Sequence, residues 1–422
     1  MGASLSDQNR AQLRDVVVII FVLFAFAVPL YRWCWPLQTT DMDGAYLVWY
    51  DHILTHGRIA ALGIPIGNYN PPYLYLLSIS TLFDGLALPA TIIKLLSVVI
   101  TGALAAAVFS LLRVCNVDRR RAAATSLAIF IVPTVALNAA YFAQNDALWV
   151  APSVMAVAAA IRQRPVAMLI WCGVAFSVKL QAIFLAPFIV GCLLTMRPKF
   201  WYWAVPAVAY VALMLPAVAF GWPVSDLATI YLRQSQAFGP QMNINAPNVW
   251  LLLSYGPWLE PARLFQPATA FGAIVGLFIV HRTMITVANA PNLLLLALCS
   301  TLAIPYFLPG MHERYFFLVD ILAISLCCVL PSWQTITIAA LVQIGSLGAY
   351  LLCLTEEHSY TLDRVTGIIQ IELNEGKVLF YGPICATAMT AALSLVIWQI
   401  VKLPKIVTAQ STDTSLLAIG VR

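Results

Sequence analysis

The amino-acid sequence predicts an all-α polytopic membrane protein with about twelve transmembrane helices. Hydrophobic residues make up 61% of the 422 residues and charged residues only 10%, whereas soluble domains contain roughly 25% charged residues. Apolar runs recur along the chain and are separated by charges, prolines and turns. We therefore expect the function to reside in the membrane helices or in their loops.

The predicted spans follow from these runs in chain order. The first run extends from about residue 16 to about residue 31, and it lacks the cleavage pattern of a signal peptide, so it is predicted to be retained. The apolar segment 71–83 is too short for a span and is typical of an interfacial or re-entrant helix in a long first outer loop. The other predicted spans are residues 90–113, 122–140, 147–161, 165–178, 180–196, 200–220, 266–280, 289–308, 315–331, 333–354 and 383–401.

The positive-inside rule orients these helices with both termini in the cytoplasm. Most of the 23 basic residues then lie in short inner loops, whereas most acidic residues lie on the opposite side. That outer side has the longer loops, at 33–89, 221–265 and 355–382. We therefore expect a protein of the cell inner (plasma) membrane, with its site on the periplasmic or extracytoplasmic face and a cytoplasmic tail at 404–422.

The charge and cysteine content argue against two kinds of partner. The net charge of +5 is spread over short loops, without a basic patch interleaved with aromatic residues, so no nucleic acid partner is expected. The nine cysteines form neither CxxC pairs nor Cys/His ligand spacing. We expect most of them to be small core residues, and no metal site is predicted.

The first outer loop carries Asp41 near the top of the predicted bundle, among tryptophans and tyrosines. A carboxylate in a partly desolvated cleft is a suitable general base, because its pKa can be tuned upward. Asp41 also has the character of a helix N-cap, since residues 39–41 are all good caps for a helix over 42–54. The local sequence leaves both interpretations open, and the block 68–73 around Tyr69 by itself indicates only a turn before a helix.

Two further blocks place polar residues at the predicted outer ends of spans. Gln144 and Asp146 belong to the first block, and Lys179 and Gln181 interrupt two apolar spans in the second. Ionisable groups at such positions are costly unless they are paired or face a cavity. A structural network and a ligand contact both remain open for the first block, and Lys179 either extends to the interface or binds an anionic headgroup.

The strongest local signal is the stretch LPGMHERYFFLVD. It contains His312, Glu313 and Arg314 in succession, directly before a span and on the predicted outer side. Arginine suits phosphate because its planar guanidinium gives bidentate hydrogen bonds and stays charged. A single interfacial arginine is commonplace, but three such residues together favour a functional site.

Taken together, these blocks resemble the C-type (GT-C fold) membrane glycosyltransferase superfamily, in particular its bacterial polyprenyl-phosphate-sugar-dependent mannosyl- and glucosyltransferases. The resemblance covers about residues 1–330, and it depends on the order and spacing of the blocks. The matching positions are Asp41, Trp49, Tyr50, Gly57, Arg58, 68–77, 144–147, 179–181, 246–250 and 311–317.

The resemblance implies transfer of one sugar from a polyprenyl-phosphate-sugar donor to a hydroxyl of a glycan or lipid-linked acceptor, with inversion. By family position Asp41 is the general base and Asp43 the fallback. Arg314, helped by His312 and Lys179, would bind the donor phosphate. No obligatory metal or other cofactor is expected. The remaining implied substrate-binding residues are Glu313, Gln144, Asp146, Gln181, Tyr69, Asn248 and Trp250.

The resemblance also divides the chain into a catalytic module at 1–330, C-terminal helices at 331–403 and the tail. Two other functions fit a multispanning chain of this kind. A secondary transporter or lipid-linked glycan flippase would use the intramembrane charges Lys94, Asp146, Lys179 and Asp320 as a substrate path. A polysaccharide polymerase or ligase would use a lipid diphosphate glycan as donor.

Overall fold

The computed structural model describes residues 21, 24–236, 241–254, 261–358 and 375–406, and these residues are almost entirely helical. This confirms the predicted all-α fold class. Three predicted features lie wholly or partly outside the described residues: the start of the first span, most of the loop 355–382, and the tail beyond residue 406.

The helices follow the predicted runs closely. They are α1 (24–34), α2 (Leu47–His56), α3 (Pro71–Ser80), α4 (Pro89–Val114), α5 (Arg119–Ala128), α6 (Pro133–Ala136), α7 (Asp146–Ile161), α8 (Pro165–Val178), α9 (Ala186–Met196), α10 (Val205–Ala219), α11 (Val224–Gln236), α12 (Val249–Ser254), α13 (Pro261–Ile285), α14 (Ala290–Phe307), α15 (Phe317–Val329), α16 (Trp333–His358) and α17 (Glu375–Lys402).

Among the described residues, fewer helices are long and apolar enough to cross a membrane than the sequence predicts. Within the described ranges, six helices are long and apolar enough to span, or seven if 119–131 and 133–141 form one bent span. The segments 146–161, 165–178 and 180–196 are apolar but shorter. The predicted total of about twelve is therefore not confirmed. Short helices arise here because Lys179 has extended backbone, with φ −146° and ψ 144°, which separates α8 from the next helical turn.

The bent pair carries the chain toward one end of the bundle. Its two parts meet at 54°, where Val132 adopts an extended conformation before Pro133, as expected for a residue that precedes proline. A π-helical turn, Leu137–Tyr141, follows α6. This turn leads into the polar block 144–146, whose last residue begins α7.

The segment predicted to be the first outer loop, 33–89, folds into short helices that pack on the bundle. The ten residues of α3 are followed by a 3₁₀ turn, Thr81–Phe83, and this length agrees with the predicted interfacial helix. Arg58 donates hydrogen bonds to the hydroxyl and carbonyl of Thr81, at 3.0 and 2.9 Å. The Tyr75 hydroxyl donates to the carbonyl of Leu213 and accepts from the amide of Ala217, both at 3.0 Å on α10. Arg58 is therefore a structural residue in this loop.

The core centres on α7, which is buried along most of its length and packs against α4 and α8. Helix α16 packs closely on α17 at Gly348. The two helices are so close there that a Cβ at position 348 would come within 2.1 Å of the Cys385 sulfur. Helices α7 and α15 begin at the same end of the bundle where α8 and α14 end. The polar blocks predicted from the sequence are all found at this end.

Cysteine labelling in sealed vesicles tests the predicted orientation. Leu86 is 81% exposed between α3 and α4, Val48 is 53% exposed on α2, and Asn116 is exposed beyond the other end of α4. We expect single cysteines at 48 and 86 to react with an impermeant maleimide from one side and a cysteine at 116 from the other. The unsubstituted chain gives the background of its native cysteines. Reaction of positions 48 and 86 from opposite sides would make 71–83 a span.

Candidate active site

Asp41 lies in the first helical turn of the outer loop, but it does not cap that helix. The Thr39 hydroxyl accepts from the amide of Met42 at 3.3 Å, and the Asp41 carboxylate makes no capping hydrogen bond. The N-cap interpretation of Asp41 is therefore wrong. Its carboxylate oxygen Oδ2 instead accepts a 2.7 Å hydrogen bond from Nε2 of Gln144, while 44% of the side chain stays exposed.

Gln144 holds Asp41 in a defined orientation. Its amide oxygen accepts hydrogen bonds from the hydroxyls of Tyr46 at 2.8 Å and Tyr69 at 3.2 Å. With the oxygen occupied by two donors, the NH₂ group of the amide faces Asp41. Tyr46 is fully buried, so the side chain of Gln144 rests on a rigid support, and its hydrogen bond orients the Asp41 carboxylate.

Four aromatic rings form that support. Tyr46, Trp49, Tyr69 and Tyr73 contact one another edge to face, with ring centroids 5.0–6.3 Å apart. Gly67 has a φ of +62°, and a Cβ there would come within 2.3 Å of the Trp49 ring. The turn before Tyr69 can therefore lie on the indole only with glycine at this position.

A buried ion pair lies behind this layer. The Lys179 ammonium donates to Oδ1 of Asp146 at 2.7 Å, and both side chains are more than nine-tenths buried. Asp146 also accepts from the Trp149 indole at 3.1 Å and from the Asn138 amide at 2.8 Å. The same amide nitrogen of Asn138 contacts the Tyr350 hydroxyl at 2.9 Å. Burial of the Asp146 carboxylate without these donors would cost free energy. With them, both of its oxygens have partners.

Arg314 faces Asp41 from the segment between α14 and α15. Its Nη1 atom lies 3.7 Å from Oδ2 of Asp41 and 3.1 Å from Oε1 of Glu313. The Arg314 side chain is 20% exposed, whereas Glu313 is buried. One guanidinium therefore bridges a buried carboxylate that fixes it and a half-exposed carboxylate across the site.

Burial sets the charge of the three consecutive residues. Burial, together with the neighbouring charges of Arg314 and Lys179, lowers the pKa of His312 to about 3. Burial raises the pKa of Glu313, against the opposing effect of Arg314. Burial alone would lower the pKa of Arg314, but Glu313 and then Asp41 outweigh it, so that its pKa lies well above the ordinary value. Arg314 is the cation of this segment.

With this low pKa, His312 is neutral at pH 7, and its 3.8 Å approach to Glu313 is not an ion pair. A neutral imidazole still has one N–H donor, so the predicted role of His312 in binding the donor phosphate stays a prediction, with a hydrogen bond in place of a charge. The depth of His312 in the bundle is not visible in the local sequence. Lys179 is charged, but its ammonium is paired with Asp146, so it contributes to the site from behind Tyr69, whose ring centroid lies 5.0 Å away.

Two predicted substrate-binding residues, Asn248 and Trp250, have backbone partners in the structure. The Asn248 carboxamide oxygen accepts from the amides of Trp250 and Leu251 and so caps α12. The Trp250 indole donates to the carbonyl of Phe307 at 2.9 Å. Just before α12, a two-residue strand, β1 (Asn243–Ile244), pairs in parallel with β2 (Met311–His312). These residues therefore hold the segment that precedes Arg314.

The other two predicted residues lie at the edge of the cluster. Asp43 is exposed, and residues two apart on a helix do not share a face, so it points away from Gln144. Gln181 hydrogen-bonds the Tyr315 hydroxyl, and its amide oxygen is buried without a partner among the described residues. The structure thus brings together Asp41, Tyr69, Gln144, Asp146, Lys179, His312, Glu313 and Arg314.

Three residues of the cluster are absent from the sequence prediction. Tyr46 belongs to the aromatic stretch after Asp41, and nothing in that stretch indicates its contact with Gln144. Asn138 reaches Asp146 through the π-helical turn, and Tyr350 comes from α16, outside the resembling region. In the part of the chain that is described, no group of three or more His, Cys, Asp or Glu side chains is placed to hold a metal ion.

Breaking the buried pair should destabilise the protein strongly. We expect Lys179→Met to lower the free energy of unfolding by about 3–5 kcal/mol, because it leaves the Asp146 carboxylate buried without its counter-ion. Adding Asp146→Asn should recover most of this loss, since the remaining donors suit an amide oxygen. Melting temperatures of the purified single and double variants in detergent measure the effect. Additive losses would show that the two residues are not coupled.

No family model and no curated protein matches the chain. Among solved structures, the chain is similar to the crystal structure of ArnT from Cupriavidus metallidurans bound to undecaprenyl phosphate, at 14% sequence identity and a TM-score of 0.49. The alignment covers 90% of this chain and 77% of that one. At this level of similarity, the function of the chain has to be inferred from its own residues.

Proposed function

We propose that this protein is a GT-C-type integral-membrane glycosyltransferase that transfers a single hexose from a polyprenyl-phosphate-sugar to an acceptor hydroxyl at the outer face of the membrane. The observation that supports this most directly is the pairing of Asp41 and Arg314. The two come from distant parts of the chain, and their charged atoms lie 3.7 Å apart at one end of the bundle. Both are partly exposed, so a substrate can reach them.

The two groups suit the two halves of a sugar transfer. The acceptor oxygen attacks the anomeric carbon while the bond from that carbon to the phosphate oxygen breaks, and its electron pair leaves with the phosphate. Asp41 takes the proton of the attacking hydroxyl, as a base does in inverting glycoside chemistry. Arg314 compensates the charge that grows on the leaving phosphate. A phosphate monoester is already a weak base, so its departure needs charge compensation more than a proton.

The surrounding residues prepare these two groups. Gln144 donates to Asp41 and so fixes the direction of the carboxylate. Glu313 holds Arg314 at 3.1 Å from the buried side, and the same guanidinium nitrogen lies 3.7 Å from Asp41. Preorganised groups of this kind stabilise a transition state without the cost of reorienting during the reaction.

The contact between Arg314 and Asp41 also bears on how the base is controlled. The Arg314 guanidinium lies 3.7 Å from the Asp41 carboxylate, so the arginine partly neutralises the base. A donor phosphate that takes the guanidinium would release Asp41 from this contact. We therefore propose that donor binding activates the base, which would limit proton abstraction to the loaded enzyme.

Transfer from a defined donor tests the function. Detergent-solubilised protein is incubated with polyprenyl-phosphate mannose or glucose carrying a labelled sugar, together with lipid-linked glycan acceptors, and both new glycolipid and released free polyprenyl phosphate are measured. We expect turnover of at least one monophosphate donor. Turnover of a lipid diphosphate glycan alone would indicate a polymerase or ligase, and lipid movement across vesicles without any bond cleavage would indicate a flippase.

The structure gives no specific support to a transport path through the intramembrane charges. Lys94 donates to backbone carbonyls of the first outer loop, and Asp146 and Lys179 pair with each other. Asp320 accepts a 2.9 Å hydrogen bond from Ser346. These groups act inside separate networks of the protein.

A further inference from the structure

A buried lysine near the outer end of α4 donates hydrogen bonds to the backbone a few residues before Asp41. Lys94 is 1% exposed, and its ammonium donates to the carbonyl of Trp35 at 2.7 Å and to the carbonyl of Leu37. These carbonyls directly follow α1, where the last carbonyls of a helix lack partners and carry the negative end of its dipole. The lysine therefore fixes the turn that leads from α1 into the Asp41 helix.

A serine about one turn farther along the same face of α4 contacts the backbone directly before Gln144. Ser97 is 1% exposed, and its hydroxyl contacts the carbonyl of Ala143 at 3.1 Å. Ala143 has a φ of +50°, a left-handed conformation that is strained for a residue with a Cβ and needs support from its surroundings. Residues three apart on a helix are neighbours on its surface, so Lys94 and Ser97 form one contact surface.

We propose that Lys94 and Ser97 are positioning residues, which together set the distance between Asp41 and Gln144. One rigid helix holds both halves of the 2.7 Å hydrogen bond that orients the carboxylate. Misplacement of a catalytic group by about 1 Å can cost about 10²-fold in rate. This inference rests on the proposed role of Asp41 as the base, and it adds an explanation for a buried cation that has carbonyls and no carboxylate as its partners.

The hydrogen bonds from the Lys94 ammonium to the carbonyls of Trp35 and Leu37 are called the clamp below. Their chemistry favours lysine over other long side chains. An ammonium has three N–H donors on a flexible stem, which allows it to bind two carbonyls of one turn at once. A methionine side chain is about as long as that of lysine and is apolar, which suits the core, but it has no hydrogen-bond donors. Lys94→Met therefore removes the clamp while it keeps most of the packing volume.

Hydrogen exchange tests the clamp without reference to activity. In Lys94→Met we expect the amides of residues 39–46 to exchange at least about 10-fold faster than in the wild type. Arg282→Met is the matched control, because Arg282 is also a buried cation that donates to a carbonyl of another helix, that of Ile400, at the opposite end of the bundle. Unchanged exchange at 39–46 in Lys94→Met, or an equal increase in Arg282→Met, would overturn the clamp.

A double-mutant cycle tests whether the clamp acts through Asp41. We expect Lys94→Met to lower kcat by about 10–100-fold, with little change in the KM for the donor, and to have little further effect in an Asp41→Asn background. An equal loss in both backgrounds would show that Lys94 acts on overall structure and would contradict the inference. If Lys94→Met does not fold, Ser97→Ala carries both tests, with faster exchange then expected at the amides next to Ala143, where Ser97 makes its contact. If no donor is turned over at all, the proposed function fails, while the exchange experiment still decides the clamp.

Discussion

Asparagine in place of Asp41 should lower sugar transfer by about 10²–10⁴-fold, because an amide cannot take the proton of the acceptor hydroxyl. The change keeps the shape of the side chain and leaves an oxygen that can still accept from Gln144. It also removes the negative charge that competes for Arg314, so we expect polyprenyl phosphate to bind as tightly as in the wild type or more tightly. Turnover and lipid binding are measured on the same purified variant.

Asp43→Asn is the matched control for this variant. Asp43 lies on the same short helix but is exposed on the other side, so its loss should leave turnover within about twofold of the wild type. Normal turnover in Asp41→Asn combined with loss in Asp43→Asn would move the base to Asp43. Normal turnover in both variants would remove the acids of this helix from the reaction.

Alanine in place of Arg314 should abolish detectable transfer, with an expected loss of about 10²–10³-fold or more, as for the removal of a preorganised transition-state donor. The guanidinium is a charged partner of Asp41 and Glu313, so its removal deprives the leaving phosphate of compensation. Unlike Asp41→Asn, this variant should also bind polyprenyl phosphate more weakly. The opposite effects on lipid binding distinguish the phosphate-binding residue from the base.

Two further variants make the result for Arg314 interpretable. Arg314→Lys should recover only part of the activity, because a point charge lacks the bidentate geometry of the guanidinium. Arg233→Ala is the control, since Arg233 pairs with Asp226 on α11 and is half exposed. Wild-type turnover in Arg314→Ala would exclude this arginine from the site. An equal loss of turnover in Arg233→Ala would indicate that any loss of positive charge from this face of the protein has the same effect.

The sequence was sufficient to predict most helices, because long apolar runs report burial in a membrane directly. The predicted 165–178 coincides with α8, and 90–113 differs from α4 by one residue at each end. The number of spans was not predictable in the same way. Breaks inside apolar stretches, such as the extended backbone at Lys179, leave the composition unchanged.

The candidate site was predictable only in part. The resemblance indicated Asp41, Gln144, Asp146, Lys179 and Arg314, and the structure brings all of them together. The hydrogen-bond partners Asn138 and Tyr350 lie on a π-helical turn and on α16. A local sequence pattern does not predict contacts between residues so far apart in the chain. The neutral state of His312 was likewise unpredictable, since it depends on burial by residues that are remote in sequence.

The Asp146–Lys179 ion pair also constrains how the protein is made. The carboxylate precedes its ammonium by 33 residues in the chain, which at typical rates of synthesis corresponds to an interval of roughly 2–7 s. During that interval α7 carries a charge that hydrocarbon does not tolerate. We therefore expect α7 to wait at the insertion machinery until Lys179 emerges, so that α7 and α8 enter the bilayer together as a neutralised hairpin.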